Sequence, residues 1–290
     1  MQIQIGYEIV FNSPIPIPML LKLHVHPSVA GSILEPEQLQ TFPPIPVREF
    51  CDSFGNRCVR IVAPEGELRL WNNAIVEVDG RPDPIDWNAR QVPVSELPEE
   101  TLQYLLSSRY CEVELLSQAA WTLFGNIAPG WPKVQAICDW VHSNIRYGYE
   151  HTHIGKTACG VYTERTGVCR DFAHLAIAFC RSLHIPARYA MGYLGDIGIP
   201  AQPIPMDFHA WFEVFLGGQW HTFDARHNTP RIGRILMARG RDATDAALTT
   251  SFGAAQLVGF KVWADEIPLA PVDPLSLERL SLDASSLISV

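Results

Sequence analysis

Charge is scarce in this sequence: only 18% of its 290 residues are Asp, Glu, Lys or Arg, against 47% that are hydrophobic. Such a chain buries a large core, and its length is a soft prior for two domains. A basic surplus is missing too. With a formal net charge of -9, no excess of cations is present to neutralise phosphates. That argues against nucleic acid or membrane as the partner and leaves a small-molecule, peptide or protein substrate. Apolar runs of the roughly 18 to 20 residues that span a bilayer are absent, because Pro, Arg, Asp or His breaks every candidate. From Met1 to Val10 the chain alternates polar and apolar residues without a basic n-region or an apolar h-region. It therefore reads as a strand and not an export signal, and a cytoplasmic location is expected.

The dense, even cysteine framework of small secreted proteins is also lacking. The seven cysteines (51, 58, 111, 138, 159, 169 and 180) are an odd count dispersed through the chain, so most are expected as thiols. Cys138 and Cys180 fall on apolar helical stripes and read as small buried hydrophobes. Gly-rich phosphate loops, internal repeats and Asp-rich calcium loops are absent. His24 and His26, like His151 and His153, could place two imidazoles on one strand face, but no further ligands follow at metal-site spacing. No metal and no cofactor are expected.

What is present changes character along the chain. Residues 1–95 hold short alternating runs such as Cys58-Val-Arg-Ile-Val-Ala and Glu67-Leu-Arg-Leu-Trp, separated by turn signals, and read as a small β domain. Near residue 95, Leu97-Pro-Glu-Glu-Thr supplies the Pro and acidic first turn of a helix, so 96–290 is expected as a second domain. Residues 99–124 predict two short helices around Ser107-Ser108. Val134, Ile137, Cys138, Val141 and Ile145 predict an amphipathic helix opening at Trp131-Pro132. Another helix is predicted from about Cys169, with Phe172, Ala173, Ala176, Ile177, Cys180 and Leu183 on one face. Strands are predicted at Arg188–Leu194, Ala210–Leu216 and Gln219–Asp224, the last two joined by Gly217-Gly218. The Leu-rich tail from Pro268 is expected to dock as a short helix or to bind a neighbour.

Cys169 follows Thr166-Gly167 at the mouth of its helix, where unpaired N–H groups and the helix dipole favour a thiolate, so a lowered pKa is expected. A nucleophile also needs a base and a group to orient it. If Gly217-Gly218 forms a two-residue turn, Leu216 pairs with Gln219 and Trp211 lies opposite Asp224. His209 then shares a face with Asp224 as its diagonal neighbour, within side-chain reach. A loop shifted by one residue would place them on opposite faces. Trp211 is the residue expected to line the cleft and shield that contact.

Thr166-Gly-Val-Cys-Arg-Asp-Phe-Ala-His-Leu, Phe208-His-Ala-Trp-Phe-Glu-Val and Trp220-His-Thr-Phe-Asp-Ala resemble, in order, the three motif blocks of the transglutaminase-like superfamily. The resemblance covers about residues 131–240. It implies Cys169 as nucleophile, His209 as base and Asp224 as orienting acid, on a papain-like α+β core of helices packed on an antiparallel sheet. It also implies attack on a carboxamide or peptide carbonyl and a thioester passed to water or an amine. Tyr147, where family members often carry an aromatic or amide, is the side-chain candidate for the oxyanion, beside the Cys169 backbone N–H. The β-rich leader is similar to the N-terminal domain of many bacterial members. The expected function is therefore a cysteine protease or amidase. A protein-crosslinking transglutaminase and a non-catalytic binding module on the same fold are the alternatives.

Overall fold

The computed structural model describes residues 1–35, 37–203 and 205–268; the expected docking of the Leu-rich tail concerns residues almost wholly outside these. Six strands come first: β1 (Gln2–Ser13), β2 (Ile17–Leu21), β3 (Gln40–Phe42), β4 (Arg48–Cys51), β5 (Arg57–Ala63) and β6 (Gly66–Glu77). Their period of two is physical, since Ile3, Ile5, Tyr7, Ile9 and Phe11 of β1 are all buried on one side.

Five helices follow: α1 (Glu99–Leu102), α2 (Val113–Phe124), α3 (Trp131–Asn144), α4 (Ala158–Glu164) and α5 (Cys169–Ser182). A two-stranded parallel ladder, β7 (Arg146–Tyr147) with β8 (Thr166–Gly167), brackets α4. The break expected around Ser107-Ser108 falls between α1 and α2, and α3 opens behind Gly130 with Pro132 in its first turn. The α4 helix, capped by Thr157 Oγ1 accepting from the Gly160 N–H, carries too short an apolar pattern to be read in advance.

The helices pack on an antiparallel sheet made of β9 (Ala187–Tyr193), β10 (His209–Leu216), β11 (Gln219–Phe223) and β12 (Ile235–Gly240), in the order β11-β10-β9-β12. One apolar face was predicted for α5, yet every residue from Asp171 to Ser182 is buried. It is a central helix, wrapped by α2, α3 and α4 with β9 and β10 beneath it. This is the mixed α and antiparallel β architecture the sequence led us to expect.

The last two strands return to the beginning of the chain. β13 (Thr249–Ser251) pairs with β2, and β14 (Gln256–Ile267) pairs with β1 along its length. They complete two four-stranded sheets, β14-β1-β6-β3 and β13-β2-β5-β4. A division at residue 95 assigns these strands to the second unit, but by hydrogen bonding they belong to the sheets of the first. The apolar core likewise runs unbroken between the two regions, as where Tyr7 of β1 meets Phe208 at 6.2 Å between ring centroids.

Candidate active site

The turn between β10 and β11 sets the site. Gly217 and Gly218 both have positive φ, 61° and 93°, the pattern of a type I′ turn, which matches the twist of a hairpin and which a side chain makes costly. Leu216 pairs with Gln219 and Phe212 with Phe223, so the next step places Trp211 opposite Asp224. The diagonal contact predicted from this register is present. His209 Nε2 lies 2.7 Å from Asp224 Oδ2, with both residues buried.

Asp224 is heavily engaged. Its Oδ1 accepts the backbone N–H groups of Arg226 and His227, while Oδ2 also accepts from Arg234 Nη2 at 2.9 Å and from His227 Nδ1 at 3.2 Å. Burial alone would raise its carboxyl, but the charges of His209 and Arg234 and these hydrogen bonds outweigh it and hold the group well below the ordinary carboxylate range. Arg234 is itself gripped by Asp83, whose two oxygens lie 3.2 and 2.9 Å from its Nε. His209 is pushed below its ordinary value, first by burial and then by Arg234 and His227, against the pull of Asp224.

Cys169 sits at the first position of α5, and its sulfur lies beside the backbone N–H groups of Ala210 and Arg170. The lowered pKa expected from the helix start is not what the structure gives: burial pushes the thiol up to about 12, with Asp207 and Asp224 adding to the rise. Desolvation of a thiolate outweighs one helix turn of dipole. The helix start is held by Asp171, whose Oδ2 accepts from the Val168 N–H and from Thr152 Oγ1, while Arg170 closes on Oδ1. Its role is a cap. Gly167 precedes it because a Cβ there would meet the Asp171 Cβ at 2.6 Å.

Two recesses meet at Cys169 and His209, each with a cavity volume of about 570 Å³. Tyr149, Cys169, Asp207, Phe208 and His209 line both. The first adds Tyr147, Arg226, His227, Arg231, residues of the irregular stretches 194–202 and 205–206, and Ala264–Glu266 of β14; the second adds Arg109, Tyr110, Arg170, Tyr189, Ala243, Thr244 and Ala246–Ser251. Both clefts are thus partly walled by the returning C-terminal strands. Tyr147 stands on the first wall with its ring 4.0 Å under the Arg226 guanidinium, and burial raises its phenol so that it stays protonated. Trp211 lines neither recess, contrary to expectation. It is 2% exposed, packed with Ala190 and Leu236 behind the His209 ring, with Arg234 over its indole at 5.0 Å. Its ring is stacked against that of His209, the centroids 6.4 Å apart.

Arg234 and Asp83 escaped the sequence reading because no local spacing links them to Asp224; His227 could have been found from its i, i+3 offset. His209, Asp224 and His227 offer three donor atoms within 4.8 Å of one another, but the Arg234 cation on the shared Asp224 oxygen opposes a metal ion there. Of the paired histidines, His24 lies 3.3 Å from Glu37, His26 Nδ1 meets Ser28, and His151 lies between Arg146 and Glu150.

No helix of the described residues is long and apolar enough to cross a membrane. The model of the transglutaminase-like superfamily core matches residues 122–225. A solved structure of a candidate cysteine protease from Cytophaga hutchinsonii is 35% identical, covers 93% of this chain and 93% of that one, and superposes with a TM-score of 0.80. An uncharacterised protein of Mycobacterium leprae is 26% identical over 219 residues, spanning 72% of this chain and 77% of that protein. Another, from Mycobacterium tuberculosis, is 33% identical over 129 residues, 40% of this chain and 41% of its own length. With its motifs, register and fold in agreement, the chain belongs to the transglutaminase-like superfamily.

Proposed function

We propose that the protein is a cysteine-dependent hydrolase that cleaves peptide or carboxamide bonds through a thioester on Cys169, with His209 as base and Asp224 as its orienting acid. The observation that carries this reading is the buried 2.7 Å His209–Asp224 contact, where two recesses shared with Cys169 meet. An ionised carboxylate only accepts, so His209 donates from Nε2 and keeps its lone pair on Nδ1, the nitrogen left for the thiol. Burial favours a neutral thiol and a neutral imidazole. The proton therefore moves from Sγ to Nδ1 as the sulfur attacks, and the imidazolium then protonates the leaving nitrogen. Water, activated by the same imidazole, releases the acid and restores the thiol. The Cys169 backbone N–H and the Tyr147 phenol are the donors proposed for the oxyanion. A peptide or protein substrate and a cytoplasmic setting belong to the same proposal; the seven unpaired thiols suit a reducing compartment.

Incubation with a glutamine-containing polypeptide and a fluorescent amine tests it. New amino termini or free ammonia, lost in Cys169→Ala, are expected. Incorporated amine would make the chain a transferase. Alkylation of Cys169 no faster than that of exposed Cys51, with no product, would leave a binding module. Because the base must be neutral and burial lowers His209, the acid limb of the rate profile is expected below pH 6.5, the usual histidine value.

A further inference from the structure

Of the five residues that line both recesses, Asp207 alone carries a carboxyl. Its Oδ2 accepts a hydrogen bond from the Tyr149 hydroxyl at 3.0 Å. No lysine or arginine among the described residues comes within ion-pair distance of it, although the rest of the site is densely paired. The cations nearby are engaged elsewhere. Arg231 donates to the Gly195 carbonyl and faces Asp196 at 4.0 Å, Arg170 is held by Asp171, Thr152 and the His153 carbonyl, the Arg226 guanidinium lies on the Tyr147 ring, and the Arg109 guanidinium, in the second recess, lies over the Tyr110 ring at 5.4 Å. Asp265 and Glu266, both exposed, also line the first recess and add further negative charge. Burial raises the Asp207 carboxyl above its ordinary value, opposed by the hydrogen bonds from Tyr149 and the Phe208 backbone and by no cation, so its charged form is costly until a cation brought by the ligand offsets the burial.

Resting on the catalytic reading above, we infer that Asp207 is a specificity determinant that receives a primary ammonium group of the substrate, carried within about one residue of the scissile carbonyl. Its position beside the sulfur couples recognition to chemistry. Asp207 is among the charges that disfavour a Cys169 thiolate, so an ammonium on the carboxylate removes that repulsion as the substrate docks. A neutral substrate leaves the repulsion in place. The same ammonium chemistry is offered by a free α-amino group or by a lysine-like side chain.

Charged alkylating reagents read this preference at the sulfur itself. On the full chain, Cys169 modification by cationic 2-bromoethylamine, neutral iodoacetamide and anionic iodoacetate is followed by mass spectrometry, each rate being divided by that of free glutathione. The expected order is cation over neutral over anion, and Asp207→Asn should shrink the cation-to-neutral ratio by about tenfold while raising the iodoacetate rate. Asp207→Ser serves as a second variant should the first fold poorly. An unchanged ratio in a folded variant, or a wild-type preference for iodoacetate under the influence of Arg226, overturns the inference. Peptides with a free or acetylated N-terminus, and with lysine or norleucine beside the scissile bond, separate the two ammonium sources; equal kcat/KM for every pair also overturns it. Insensitivity of iodoacetamide alkylation to His209→Ala would instead remove the catalytic reading, while the charge ratios would still report on Asp207.

Discussion

At the residue scale the site depends on the charge of Asp224 more than on its shape. Five donors converge on this carboxylate, from His209, His227, Arg234 and two backbone N–H groups. An asparagine there would keep one acceptor oxygen and introduce an amide N–H, which favours the wrong His209 tautomer. If Asp224 orients His209 as proposed, Asp224→Asn should lower turnover by about 10³ to 10⁴-fold, the scale of the same change in serine-protease triads, and should slow iodoacetamide alkylation of Cys169. Stopped alkylation followed by mass spectrometry checks this. A variant that retains wild-type kinetics would show that Asp224 does not orient the base.

The element that decides the site is the β10–β11 hairpin. Its period of two and its two-residue turn were legible because Gly217-Gly218 stands between strongly β-forming runs, and the paired positions followed by counting. The positive φ values at both glycines also separate two kinds of substitution. Asparagine tolerates the left-handed region, so Gly217→Asn should leave thermal stability nearly unchanged. Gly217→Val should cost about 1 to 2 kcal/mol, since a β-branched side chain is strained there. The space itself is open, the nearest atom to an added Cβ being Ala89 Cα at 3.7 Å, so the cost is conformational and not a clash. Melting curves of the pair measure the difference. By contrast, α5 was read as amphipathic although it is buried all round: Arg181 counts as polar in a sequence pattern, but here its guanidinium is saturated by the carbonyls of Ala187, Leu106 and Arg241.

At the scale of the whole molecule, buried histidines link acidity to stability. His174, on the central helix α5, is fully buried between the rings of Tyr110 and Tyr189, and its Nε2 accepts the Ala243 N–H at 3.1 Å. Burial, opposed by Asp242 and Asp171 and assisted by Arg170 and Arg181, lowers its pKa from 6.5 to about 4. The folded state therefore resists a proton that the unfolded chain takes up. The His174 contribution is complete above pH 6.5, is lost progressively as the pH falls towards 4, and amounts to roughly 3 kcal/mol. His174→Gln, which retains an acceptor for the Ala243 N–H, should flatten this part of the profile in denaturant titrations at stepped pH. An unchanged slope would place the acid sensitivity in other groups.

Alternation, helical period, turn glycines and each of the three short motifs are written in a few consecutive residues, so local sterics and hydrophobic periodicity determined the strands, the main helices, the β10–β11 register and the pairing of His209 with Asp224. Contacts that join distant segments left no such trace. The return of β14 to β1 across the length of the chain, the Asp83–Arg234 grip on Asp224, and Trp211 packing behind His209 were decided by tertiary structure. The same holds for the proton on Cys169. A helix start is visible in sequence, but desolvation depends on what covers the sulfur, and only the folded chain brings Ala210, Asp207 and the two recesses around it.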